Sequence, residues 1–212
     1  MYTPKNFAVE DVGEVHALMR ARPFAILVTQ GAAGLMATHL PTVLKVDGET
    51  ALGRIECHVA RPNPHWRVFT PQTDALMIFQ GPEAYIRPGW YPSKAEHAKV
   101  VPTWNYAVAH AYGRLEVMQD QAWLKVHVSE LTRQQEAPFA EPWSTADAPE
   151  SFLATMVRGI VGLTFTITRV EGKAKMSQNR EPRDRAGVVR GLTARGLGED
   201  SETAALVERL NR

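Results

Sequence analysis

Runs of apolar and polar residues that alternate with a period of two outnumber the stretches that follow the helical period. Residues 10–21 place Val12, Val15, Leu18 and Met19 on one helical face, behind acidic residues that suit a helix N-terminus, and Pro23 ends that helix. FAILVT, LMATHLPTVLKV and TALGRIECHV then read as three strands of an antiparallel meander, separated by QGAAG and by VDGE, whose Asp47-Gly48 is a hairpin signal. PNPHWRVF reads as a short helix or turn. DALMIF and EAYI read as a further strand pair turning at Gln80-Gly81-Pro82.

Residues 88–103 hold too much proline and polarity for a regular element, yet they carry Trp90 and Tyr91, which predicts an ordered functional loop. From 104 to 117 the alternation is strict: Trp104, Tyr106, Val108, His110 and Tyr112 face one way, and Asn105, Ala107, Ala109, Ala111 and Gly113 face the other. A strand with a row of small side chains admits close approach, either of the protein's own elements or of a cofactor or second subunit. Residues 120–135 predict a helix, 136–149 an acidic connection and 150–158 a short helix. VGLTFTITRVEGK is the last strand, with Leu163, Phe165 and Ile167 inward, and helical patterning returns after about 181. Hairpin spacing without βαβ units predicts a mainly β fold, an antiparallel barrel with peripheral helices.

At 212 residues, with 44% hydrophobic and 22% charged positions, the chain suits one globular domain with a real core. We expect the domain over 1–192 and a C-terminal helical tail over 193–212. A formal charge of +1 excludes a surface that is basic throughout, so any nucleic-acid contact must be local. The single cysteine, Cys57, excludes an internal disulfide, a zinc ribbon and a CxxC pair. No run approaches the ~18 apolar residues of a membrane span. Lys5, Glu10, Asp11 and Glu14 stand where an export signal would need an apolar run, so the expected location is the cytoplasm.

Seven histidines are scattered without HExxH or HxH spacing, and no metal site is expected; a residual metal reading would require His39, His58 and His110 to converge from their strands. GxSxG, GxGxxG and GxxxxGK[ST] are absent, which argues against a hydrolase elbow, a Rossmann unit and a P-loop. Two segments concentrate hydrogen-bond donors. HVARPNPHW puts His58, Arg61 and Asn63 just past a strand end, a set that suits a phosphate dianion or, more blandly, a surface arginine beside a capping asparagine. KMSQNR puts Lys175, Ser177, Gln178, Asn179 and Arg180 after the last strand, as a second donor set or a solvated turn.

ATHLP, HVARPNPHW, AYIRPGWYPSK, VPTWNYAVAHAYG and EGKAKMSQNR, in that order from Met1 to about Leu192, resemble the PaiB-type family of FMN-binding negative transcriptional regulators. The resemblance implies an FMN-binding split barrel related to pyridoxamine-phosphate oxidase, and a homodimer with flavin at the subunit interface. It implies that Thr38, His39, Leu40 and Pro41 run along the isoalloxazine, and that His58, Ala60, Arg61 and Asn63 surround the ribityl phosphate. Trp90, Tyr91 and Trp104 would cover the ring or complete the site, and Lys175, Ser177 and Gln178 would add polar contacts. Promoter DNA would meet a local basic surface, for which NREPRDRAGVVRGLTARG, with Arg180, Arg183, Arg185, Arg190 and Arg195, is the nearest candidate; its alternative is a solvated helix face. A flavin-dependent oxidoreductase acting on a small substrate or reduced nicotinamide is the competing reading, because flavin carries hydride chemistry without a protein acid–base pair.

Overall fold

The computed structural model describes residues 1–211. After a 3-10 turn at Lys5–Phe7 come β1 (Ala8–Val9), α1 (Val12–Ala21), β2 (Phe24–Gly31), β3 (Gly34–Lys45), β4 (Arg54–Ala60), α2 (His65–Val68) and β5 (Ala75–Ile86). They are followed by a second 3-10 turn at Pro88–Trp90, α3 (Lys94–His97), β6 (Thr103–Met118), α4 (Gln121–Glu136), α5 (Glu150–Arg158), β7 (Ile160–Lys175), α6 (Pro182–Arg195) and α7 (Asp200–Arg209). The strands form one sheet in the order β1-β7-β4-β3-β2-β5-β6, and a further β6–β7 pairing closes it. This is the antiparallel barrel that the alternation predicts, and the split barrel that the resemblance implies.

Three details of the strand reading are refined. DALMIF and EAYI are one strand, β5, rather than a hairpin. Gly81 and Pro82 are both buried, so the inward set Ala75, Met77, Phe79 and Gly81 passes to Pro82, Ala84 and Ile86 with one residue of slip. A strand can absorb an extra residue in this way without reversing. The small side of β6 does not await a second subunit either: Ala107, Ala109, Ala111 and Gly113 point into the barrel, and Ala109 is 0% exposed. At Gly113 a Cβ would stand under 3.0 Å from the carbonyl oxygen of Thr166, so the neighbouring backbone claims the space. The Asp47-Gly48 signal lies in a longer connection, residues 46–53, between antiparallel β3 and β4.

The chain clusters into two compact units. One comprises His16–Phe79 and His110–Val170. Leu27, Leu40, Ile55, Cys57, Met77, Leu163 and Phe165 fill its interior. Burial pushes the Cys57 thiol up to about 12, which leaves it an inert core side chain. Helix α4 starts at Asp120, whose carboxylate accepts from Trp123 N at 2.7 Å, and it buries Leu124, His127 and Leu131. Gly162 on β7 makes that docking close, because any Cβ there would fall under 3.0 Å from the Trp123 ring.

The other unit comprises Met1–Val15, Gln80–Ala109 and Glu171–Arg212. Here β1 pairs with the end of β7, Ala8 opposite Lys173 and Val9 opposite Gly172. Helices α6 and α7 bury Val188, Leu192, Ala204 and Val207. Gly187 and Gly191, one helical turn apart on α6, lie against Trp90, whose backbone and ring leave no room for a Cβ at either position. The expected 192/193 boundary falls inside α6.

Candidate functional site

The first set of expected site residues lies on β3, β4 and the loop after β4. The register pairs Phe24 with Pro41, Ile26 with His39 and Val28 with Ala37, and on the other side Ile26 with Ile78 and Val28 with Leu76. These side chains share the outward face of the sheet, where a free-standing barrel would place polar residues. Phe24 is 65% exposed and stacks on His39, with ring centroids 6.2 Å apart. Thr38 and Leu40 point the other way; Leu40 is buried in the core, so its side chain is not available to a ring on the outer face.

Behind this face a hydroxyl, amide and imidazole cluster fixes the loop that follows β4. His65 is fully buried and bonds Thr38 Oγ1 through Nδ1 at 2.7 Å and Thr29 Oγ1 through Nε2 at 2.8 Å. Asn63 Oδ1 accepts from His65 N at 2.9 Å, and Asn63 Nδ2 donates to Thr38 Oγ1 at 3.4 Å. Burial holds the His65 imidazole below its usual range, so it works as a neutral donor–acceptor strut.

Arg61 follows β4 and aims its guanidinium at the chain's own oxygens. Nε donates to Arg158 O at 2.7 Å, one terminal nitrogen to Ile160 O at 2.9 Å and the other to Gln119 Oε1 at 3.1 Å. A cation at these carbonyls also complements the C-terminus of α5. A guanidinium carries five N–H groups, so two remain for an anion. Ala60, just before it, is exposed. His58 does not meet His39 or His110 in the bonds it makes; its partner is His127, at 3.0 Å. Among the described residues no group of three or more His, Cys, Asp or Glu could hold a metal ion.

The second set lies at the β6–β7 end. Lys175 Nζ donates to Thr103 Oγ1 and to Trp104 O, the latter at 2.7 Å; burial, then Lys173 and Arg180, hold its pKa below the usual lysine range. Ser177, buried with a left-handed φ of 63°, exchanges hydrogen bonds with Asn105 at 3.0 and 3.2 Å. Gln178 closes its own turn, accepting from Met176 N and donating to Ala174 O, both at 2.6 Å. Tyr91 is buried beneath the Arg180 guanidinium, 4.7 Å from its ring, whereas Trp104 is 50% exposed and meets Tyr85 edge-on. Trp90, Tyr91, Lys94, Arg190 and Gly191 line an open cavity of about 720 Å³.

Two of the five arginines of the basic run are paired with acidic neighbours. Arg183 pairs with Glu96 and Glu181, Arg195 with Asp200, and Arg185 donates to Arg180 O at 3.1 Å. Sequence reasoning singled out neither His65 nor His127 nor Phe24 as a site residue. His65 sat inside HVARPNPHW, and His127 lies on a helix 69 positions from its partner.

An antiparallel sheet closed through β6–β7, with an apolar outward face beside an arginine-bearing loop, is the architecture of the flavin-binding split barrels. The chain belongs to the family described as "Putative FMN-binding domain", whose model matches residues 1–169, and FMN is the cofactor of that family. It is 30% identical to "Protease synthase and sporulation protein PAI 2" of Bacillus subtilis over 98% of this chain and 97% of that one. It is 32% identical to uncharacterized protein AN0679 of Emericella nidulans, over 95% and 93%. In fold it is similar to an FAD- and haem-binding protein of Mycobacterium smegmatis, with a TM-score of 0.57, 14% identity, and 79% of this chain and 73% of that one covered. No helix among the described residues is long and apolar enough to cross a membrane.

Proposed function

We propose that this protein seats FMN against the outward face of β2 and β3 and acts as a regulator of gene expression, with the flavin as sensed ligand or redox signal. The observation that carries the seat is the outward row of Phe24, Ile26, Val28, Ala37 and His39, of which Phe24, Ala37 and His39 are exposed and Ile26 and Val28 half-buried, on the sheet whose β4 leads into the loop of Arg61 and Asn63. The donor chemistry fits. A planar amphipathic ring needs a flat apolar wall with hydrogen-bonding groups at its edge, and a dianionic tail needs a guanidinium with N–H groups to spare. FMN supplies hydride and electron chemistry when bound, and the protein's part is to hold and orient it.

An outward sheet face this apolar also favours a covering partner, and a second copy of the chain, with flavin between the two copies, is the occupant we propose. The regulatory role is supported by the printed name of the Bacillus subtilis relative. A promoter contact through the α6 surface would rest chiefly on Arg185 and Arg190, since Arg183 and Arg195 are neutralised. A cytoplasmic location accords with a DNA-directed role.

Titration of the purified protein with FMN and riboflavin tests the seat: FMN should bind more tightly, and Ile26→Glu should abolish binding of both. Equal affinity for FMN and riboflavin removes the phosphate assignment. Catalytic oxidation of NADH by the FMN-loaded protein, with no promoter DNA bound at physiological salt, would replace the regulator with an oxidoreductase.

A further inference from the structure

The polar side of β4 carries ionisable groups that neither the core nor the FMN seat accounts for. Arg54, Glu56 and His58 alternate along the strand, and α4 lays His127 over them. Glu56 and His127 are buried, the latter 1% exposed, while His58 is half-buried. His127 Nε2 lies 3.0 Å from His58 Nδ1. His127 Nδ1 has no hydrogen-bond partner and faces Glu56 Oε2 at 4.0 Å. Trp123 stacks on the His127 ring at 5.2 Å, and Glu56 accepts from Arg54 Nε at 3.2 Å, so both neighbours are held in place.

Two neutral imidazoles that share one hydrogen bond have two arrangements. If His127 donates from Nε2, its Nδ1 lone pair confronts a carboxylate. If instead His127 carries its proton on Nδ1, toward Glu56, then His58 donates from Nδ1 and its Nε2 becomes an acceptor. In a buried site the Coulomb term selects the second arrangement. Burial keeps both rings neutral: it holds His58 below its usual range and, with His58 and Lys45 adding to it, takes His127 down to about 3. The other charges facing the pair are Arg54 and Glu56 from β4, Lys45 from β3 and Glu130 from α4, the last two joined at 3.6 Å.

We propose that Glu56 and His127 are positioning residues that hold His58 as its Nδ1–H tautomer, so that His58 Nε2 offers a lone pair to a hydroxyl of the bound ligand. This rests on the FMN reading. Within FMN the matching groups are the ribityl hydroxyls, because an acceptor nitrogen repels a phosphate dianion. His58 therefore belongs beside the sugar-alcohol chain and not at the phosphate, where the family resemblance puts it.

Histidine ¹⁵N spectra of the flavin-free protein should show Nδ1 protonated and Nε2 bare for both His58 and His127. In Glu56→Gln and in His127→Phe, which keeps a ring on Trp123, His58 should move to the Nε2–H form. A wild-type His58 protonated on Nε2, or one unmoved in both variants, overturns the proposal whatever flavin does. Glu56→Gln should weaken FMN and riboflavin by the same factor, about fivefold to tenfold for one hydrogen bond, and spare lumiflavin, which has no ribityl chain. A loss confined to FMN would put His58 at the phosphate and overturn the ligand assignment. The expected tautomers with no flavin bound by any form would sink the FMN seat, and the hydroxyl partner with it, while the relay stands.

Discussion

The indole of Trp123 rests on the bare Cα of Gly162, and the strand partner of that glycine is His58. One missing methyl thus sets how close α4 comes to β4. Gly162→Ala should cost about 1–3 kcal/mol by overpacking and should lengthen the His58–His127 contact. Urea unfolding, together with the His58 ¹⁵N shifts, checks both effects; an unchanged midpoint would mean that α4 yields freely.

Arg61 holds three oxygens of its own chain, so Arg61→Ala should lower stability by roughly 1.5–3 kcal/mol as well as weaken FMN. Arg61→Lys should rescue neither, because a point-like ammonium cannot reach three acceptors in a fork. Comparing riboflavin with FMN separates the effects: a variant that loses both ligands equally has lost only the loop, not a phosphate contact.

Acid should destabilise the fold well before its carboxylates protonate. His16, His58, His65 and His127 are all held below the ordinary 6.5, with burial the leading cause in each. The unfolded chain therefore binds protons near pH 6.5 that the folded chain refuses, and stability falls as pH drops through that value. For His127 the loss continues toward pH 3. The thermal midpoint should be lower at pH 5 than at 7.5, and His127→Phe should shrink the difference; a flat profile would contradict the assignment.

Ala109→Trp should now act on the fold rather than on assembly. The Ala109 side chain is buried among the barrel's own residues, so an indole there should leave the protein unfolded or insoluble at any concentration. A folded monomer carrying Trp at 109 would show that the barrel interior can open.

The barrel was legible because its strands obey period-two alternation at β3, β4, β6 and β7, where one face must be apolar. What escaped was decided by long-range packing. Gly81-Pro82 has the local chemistry of a turn, yet both residues are buried and β5 runs on through them with a one-residue slip. Strand β1 is two residues long and exists because Gly172 admits Val9. In the site, HVARPNPHW was readable as a donor-rich loop, but the oxygens that take up Arg61 come from residues 119, 158 and 160, and no local pattern announces them. His127 looked like one more polar position on a surface helix.

Cys57 lies in the core of the barrel, fully buried, and burial pushes its thiol up to about 12. At neutral pH a thiol-reactive dye has almost no thiolate to meet and no path to it, so each labelling event records an excursion of the chain that exposes β4. The lone cysteine makes the protein its own opening clock. Where labelling outpaces reclosing, the slope of modification with time reads the unfolding rate directly, and any ligand that binds only the closed barrel will slow that clock in proportion to its occupancy.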